Sequence, residues 1–230
     1  MSNTHTKTKI KFSFLDYFYM YKKSGLRLPY NYFINTRLFD IIYGTDTHAW
    51  LPKKNYINQP DSFEDGILYM ASWTNEIKKI FKKLHSLRHL DNQYTFVDVG
   101  CGKGKVCILW KLLHTKHRLT CKIVGVDYYE PLLEISKNNY FKVFGEYGKF
   151  IQGDASAFDF SIFGENVIYF LNNPFNEKII VKFLEKLNNK KIIIIYNNPI
   201  HHKCFYNYNF KLIYENFGWH PNCQTKLFLR

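Results

Sequence analysis

The 230-residue sequence predicts an α/β protein. Its sheet is expected to be doubly wound, mostly parallel and seven-stranded, ending in an antiparallel C-terminal hairpin and preceded by a mainly helical N-terminal extension. Three observations lead there. From residue 94 onward, short wholly apolar runs alternate with amphipathic segments. Helices on both faces of a parallel sheet bury its strands completely, which gives strands of that kind. The last two strand-like runs have no helix between them, which antiparallel neighbours permit and parallel ones do not. Finally, 46% of the residues are hydrophobic, which excludes a disordered chain and supplies one large core.

The elements follow in order. Residues 9–23, KIKFSFLDYFYMYKK, would be apolar nearly all round as a helix. Packing against the rest of the chain is preferred for it, with peripheral membrane contact as the alternative. Residues 66–84 start irregularly and become helical, with Ile77, Ile80, Phe81 and Leu84 spaced along one face. YTFVDV (94–99) is the first strand, and a glycine turn leads into the helical KVCILWKLLHTKH. KIVGVD (122–127), KFIQGD (149–154), NVIYFL (166–171) and KIIIIY (191–196) are the next strands. The helices EPLLEISKNNYFKVF and NEKIIVKFLEKLNN separate them where a crossover is needed. FKLIYE (210–215) and CQTKLFLR (223–230) form the hairpin around Gly218 and Pro221. A division follows between an extension at 1–90 and a ligand-binding domain at 91–230.

Net charge is +13. Such a surface attracts nucleic acid, anionic lipid or anionic substrates, though no compact basic stripe stands out along the chain. The five cysteines are odd in number and form no CxxC pair. That argues against a disulfide framework or zinc ribbon and for a reducing, cytoplasmic interior. His201, His202 and Cys204 are read as a surface cluster rather than metal ligands, because adjacent residues seldom converge on one ion. No metal is expected. No apolar run is long enough to span a bilayer, and the first residues lack a secretory h-region.

The chemistry concentrates in FVDVGCGKGKV (96–106). Gly100, Cys101 and Gly102 let the chain turn tightly, and the following helix offers free N–H donors to a ligand. Alone, this turn suits a nicotinamide dinucleotide, a flavin or close packing. Asp98 discriminates. A pyrophosphate is repelled by a carboxylate so near the turn, whereas a ligand carrying an ammonium and a sulfonium is attracted. Asp127 ends the second strand, where it can accept from both hydroxyls of a ribose. Asp154 ends the third, placed for the exocyclic amine of adenine. Each acid alone is an ordinary turn residue; three in order at strand ends are a signature.

This pattern resembles the class I S-adenosylmethionine-dependent methyltransferases over roughly residues 94–230. The resemblance implies a cofactor loop of Asp98, Gly100, Cys101, Gly102 and Gly104. It further implies ribose contacts at Asp127 with Tyr128 beside it, and an adenine edge at Asp154 and Ala155. Upstream, FDIIYGTDTHAW and GILYMASW are similar to the leader of a bacterial group of unassigned substrate. That likeness implies a lid at Tyr69, and it extends to Asn173-Pro174-Phe175 and to Asn198-Pro199 with His201.

Asn-Asn-Pro thus occurs twice, at 172–174 and 197–199, each time after an apolar strand. Asn173 as N-cap with Pro174 in the first helical turn suits the helix that follows. Asn172-Asn173-Pro174-Phe175 also resembles the Asp/Asn-Pro-Pro-Tyr/Phe motif of enzymes methylating planar nitrogens, except that Asn173 replaces a proline. Candidate catalytic residues are therefore Asn172, Asn173, Pro174 and Phe175; of His201 and His202, either of which can serve as a general base, His201 is the candidate taken, and Asn172 also counts toward the cofactor site. The expected activity is methyl transfer from S-adenosylmethionine to an unidentified acceptor: small molecule, protein or nucleic acid. A nicotinamide-dependent oxidoreductase and a cofactor-binding protein without turnover are the alternatives.

Overall fold

The computed structural model describes residues 14–49, 69–90 and 93–230. Residues 9–13 of the aromatic segment, Trp50, and 66–68 lie outside the described residues, as does residue 91 at the expected division.

Seven strands form one sheet: β1 (Thr95–Val99), β2 (Lys122–Asp127), β3 (Lys149–Gln152), β4 (Asn166–Asn172), β5 (Lys191–Asn197), β6 (Lys211–Asn216) and β7 (Thr225–Leu229). Their order is β3-β2-β1-β4-β5-β7-β6. The first five are parallel, and β7 runs antiparallel to both β5 and β6. The chain moves outward from β1 to β3 and then crosses back to β4. That reversal opens a crevice at the carboxyl ends of β1 and β4.

Alternation along β1 builds two cores. Val97 and Val99 pack on one face with Val167, Tyr169, Ile180 and Phe183. Phe96 packs on the other with Phe81, Trp110, Phe170 and Ile195. Trp110 stacks on Phe96 at 4.1 Å between centroids, fixing helix α5 (Lys105–Lys116) against the sheet. Helices α6 (Glu130–Phe144) and α7 (Glu177–Lys186) complete the doubly wound layers. The helical face expected from Ile77, Ile80, Phe81 and Leu84 is buried in α4 (Thr74–Ser86), which covers the same side as α5.

The extension is helical. α1 (Phe14–Ser24) precedes a continuous run of α2 (Arg27–Tyr32), one π-helical stretch at Phe33–Arg37, and α3 (Leu38–Tyr43), stopped by Gly44 in the left-handed region. The packing expected of the aromatic segment is slight in α1, its described part: none of its residues is fully buried, and Phe14 is 86% exposed. It meets α2 through an edge-on contact of Tyr17 with Tyr32.

A second departure concerns α7. Its N-cap is Asn176, whose side chain accepts from the Ile179 N–H at 3.1 Å, not Asn173. The reason lies in the backbone. Asn173 sits at φ 43°, a left-handed conformation incompatible with an N-cap, and inserts a turn before the helix.

Candidate active site

The crevice holds a cavity of about 950 Å³, its open mouth included. β1 contributes Asp98 and Val99, the turn after it Gly100 and Cys101, and β2 Asp127 followed by Tyr128. Asp154 and Ala155 close one end; Asn172, Asn173, Pro174 and Phe175 close the other. Tyr69 to Ser72 cross above. The sequence-predicted residues are thus brought together with three exceptions: Gly102, Gly104 and His201 do not line the cavity. The two glycines serve it by making room. A Cβ on Gly102 would lie 2.1 Å from the Tyr69 ring, and one on Gly104 would meet Ser136 and Phe150, where the loop packs on α6 and β3.

Asp98 is the electrostatic centre. It is buried, and among the described residues its carboxylate receives one hydrogen bond, from the Cys107 thiol at 3.9 Å. Burial, with the charge of Asp127 next to it, pushes its pKa well above the usual carboxylate range. The buried Lys105 does not neutralise it: its ammonium donates to the carbonyls of Asn35 and Ser72. Asp127 is engaged from below. Gly102 N–H donates to one oxygen at 2.8 Å and Tyr129 N–H to the other at 2.9 Å. Burial outweighs those bonds and lifts Asp127 to about 6. Asp154 is held by Ser156, whose N–H and hydroxyl both donate to Oδ1 at 2.8 Å. Two desolvated carboxylates side by side are costly unless a cation joins them.

The two tripeptides turn out to be one device used twice. Asn173 and Asn198 both adopt left-handed backbone, φ 43° and 52°. Asn tolerates this region better than other side-chain-bearing residues. The asparagines before them face one another: Asn197 Nδ2 donates to Asn172 Oδ1 at 2.8 Å. Asn172 Nδ2 donates to the Met70 carbonyl at 3.3 Å, and the Thr225 hydroxyl donates to Asn197 Oδ1 at 3.0 Å. Pro174 lies on the turn, so close that a Cβ on Gly100 would come within 2.7 Å of it. Asn173 Oδ1 accepts from the Tyr196 hydroxyl at 3.1 Å. His201 stands apart, its Nδ1 3.7 Å from Glu177.

Sequence reasoning missed how the strip at Tyr69 is held. Asp40 is buried and accepts from the hydroxyls of Thr45 and Thr47, from the N–H groups of Thr47 and His48, and from His48 Nδ1. Burial alone would raise Asp40, but the bonds from His48, Thr45 and Thr47 outweigh it and hold it far below the usual range. Arg37 reaches His48 Nε2 at 2.7 Å. The loop so fixed presents the Thr47 carbonyl to the Tyr69 hydroxyl, 2.6 Å away. Asn139 of α6 pins it from the far side by bonds to Asp46. The one local sign was the polar GTDTH after α3; Asp40 and Arg37 are near it in the chain, whereas Tyr69 and Asn139 lie on distant elements.

Residues 90–221 match the family described as a methyltransferase domain, and the chain belongs to it. No curated protein matches. Among solved structures, the chain is similar to the PH0226 protein of Pyrococcus horikoshii OT3 (15% identity, 66% of this chain and 89% of that one, TM-score 0.47). It is also similar to magnesium protoporphyrin IX methyltransferase from Synechocystis PCC 6803, solved with bound S-adenosylmethionine (14% identity, 86% and 92%, TM-score 0.49). A third is TrmN from Thermus thermophilus (12% identity, 68% of this chain, TM-score 0.47), of which the match spans 51%.

Proposed function

We propose that the chain transfers a methyl group from S-adenosylmethionine, whose sulfonium makes that methyl carbon electrophilic when bound. One observation carries the reading: Asp98 and Asp127, two buried carboxylates with raised proton affinity, share one cavity wall. Such a wall suits a cationic nucleoside and repels a pyrophosphate. Asp98 holds the ammonium side, Asp127 accepts from the ribose hydroxyls, and Asp154 with Ala155 borders the adenine. Gly100, Cys101, Gly102 and Gly104 shape the turn, Tyr128 flanks the ribose, and Tyr69 closes the site from above. Asn172, Asn173, Pro174 and Phe175 form the rim on which the acceptor is positioned. Aligning the acceptor with the sulfonium then supplies much of the rate. Residues 1–90 act as the lid-bearing extension and 91–230 as the catalytic domain. Five unpaired thiols suit a reducing compartment, which supports a cytoplasmic location.

Calorimetric titration with S-adenosylmethionine, S-adenosylhomocysteine and reduced nicotinamide dinucleotide tests this reading. Binding of the first two and not the third supports it. Tight binding of the nicotinamide alone overturns it in favour of an oxidoreductase. Incubation with methyl-labelled cofactor and cell extract then separates an enzyme from a binding protein without turnover.

A further inference from the structure

A second cleft, about 870 Å³ with its open mouth included, lies beyond the strip formed by residues 69–73. Tyr69 to Ser72 face the cofactor cavity, whereas Trp73 lines this groove. Its opposite wall is the β6–β7 connection, Asn216 to Trp219. Asn216 is in register with Thr225, and Thr225 with Asn197, so groove and cavity open at the same end of the sheet. Asn216 of the groove thus stands two strands from Asn197 of the rim, about 10 Å at ordinary strand spacing.

The lining has a definite chemistry. Lys78, Lys79 and Lys82 of α4 stand along one side. Glu76 is occupied by Lys79 at 2.6 Å, and no described acidic side chain pairs with exposed Lys78 or Lys82. Facing them are flat rings: Phe217 is 75% and Trp219 39% exposed. The Arg27 guanidinium lies 4.3 Å from the Trp219 ring centre. Trp73 stacks on His220 and meets Trp219 at a tilt, 5.9 Å away between centroids, and its buried indole N–H has no acceptor among the described residues. Rings offered for stacking beside cations without partners recognise a base joined to a phosphate.

We propose that this groove receives the methyl acceptor and that the acceptor is a nucleotide, its base on Trp219 or Phe217 and its phosphate on Lys78 and Lys82. The inference rests on the methyltransferase reading above, and two independent titrations separate them. The first follows tryptophan fluorescence with a single-stranded RNA of about ten nucleotides, within the span such grooves cover, and in parallel with adenosine monophosphate. The second measures S-adenosylhomocysteine by calorimetry.

RNA is expected to bind and quench. Lys78→Glu with Lys82→Glu should weaken it at least about tenfold and flatten its salt dependence by about 1.4, two phosphate contacts at roughly 0.7 each. Trp219→Ala should weaken it about tenfold through lost stacking. Homocysteine-nucleoside affinity should stay within about twofold, since none of the three residues lines that cavity. Equal affinity for monophosphate and RNA assigns a single nucleotide; a preference for RNA assigns a strand. Absence of both, with the homocysteine nucleoside still bound, overturns the acceptor proposal alone. RNA binding indifferent to the charge reversal overturns it too.

Discussion

Asn172 and Asn197 join the tips of β4 and β5 by a side-chain hydrogen bond of 2.8 Å. Asn172 spends its other amide hydrogen bond on Met70 of the lid strip, and Asn197 its oxygen on Thr225 of β7. The pair thus fastens the 69–72 strip, the two strand tips and β7 together. Asn197→Ala leaves the Asn172 oxygen and the Thr225 hydroxyl without their partner in a buried place. It should cost about 1–3 kcal/mol of stability, read from urea unfolding. Asn172→Ala should lose turnover while keeping cofactor affinity, because its bonds go to the rim and lid rather than to the acids. A fully active Asn172→Ala would reduce the tripeptide to a strand stop.

The left-handed turns give a sharper test. Asn198 adopts φ 52°, so Asn198→Gly should be neutral within a few tenths of a kcal/mol, whereas Asn198→Ala should cost about 1 kcal/mol. Equal melting temperatures for the two variants would contradict a conformational reason for asparagine here.

Cofactor affinity should depend on pH through the acids. Burial raises Asp127 to about 6 in the free protein, and burial with Asp127's charge raises Asp98 also. A cationic ligand favours the charged carboxylates, so its binding lowers both pKa values and releases protons. Affinity is therefore expected to fall as pH drops through about 6, by up to about tenfold per unit for each proton displaced, and to level off above the raised values. Calorimetry in two buffers of different ionisation heat measures the proton release. Asp127→Asn should remove part of the slope, and Asp127→Ala should weaken binding by about 1–3 kcal/mol or more.

Much of this was legible beforehand, and what was not has a common cause. β2 and α6 fall at the residues expected, Lys122–Asp127 and Glu130–Phe144, because their apolar runs and flanking polar residues are local signals. The meeting of Asp98, Asp127 and Asp154 in one cavity was legible for the same reason: acids at strand ends in a parallel sheet must share one lip. The cap was misread because Asn-Pro before a helix looks alike in sequence whether the asparagine is extended or, as here, left-handed. The Asp40 cluster is local, but its links to Tyr69 and Asn139, like the lysine-aromatic groove, join residues far apart in the chain. No periodicity connects Lys78 to Trp219 or Asp46 to Asn139. Lys105 is the clearest case. It looks like the solvated start of a helix, yet is buried under the extension, binding two carbonyls there.

That lysine predicts a pH effect on stability. Burial lowers Lys105 to about 7, far below its unfolded value of 10.5. Its contribution is fully present above the unfolded value and lost as pH falls toward 7, where the buried amine must charge. Against Lys105→Met, the native protein should gain stability between pH 7 and 9 on the order of 1 kcal/mol per unit. A difference independent of pH would show that the amine stays charged throughout.

Gly102 and Tyr69 should be coupled. Gly102 has φ 52°, and a Cβ there would lie 2.1 Å from the Tyr69 ring. Gly102→Ala should therefore displace the lid and abolish detectable cofactor binding. Tyr69→Ala added to it should recover the steric part of the lost stability but not the backbone strain. A double-mutant cycle on unfolding is expected to give a coupling of about 1 kcal/mol or more. Strict additivity would mean that the ring moves aside freely.

His201 provides the last test, because it separates catalysis by positioning from catalysis by a base. The imidazole stands outside the cavity lining, 3.7 Å from the Glu177 carboxylate. A general base must come within hydrogen-bond reach of the proton it removes. From this place His201 meets that condition only if the 198–201 turn moves. The electrophile needs little help when its acceptor is aligned, so rate should depend on the Asn172 rim instead. His201→Ala is accordingly expected to keep turnover within about threefold and to leave the pH profile unshifted, whereas removal of a working base costs about a hundredfold or more. A large loss, with the acidic limb of the profile abolished, would return His201 to the reaction and require the 198–201 turn to close over the acceptor.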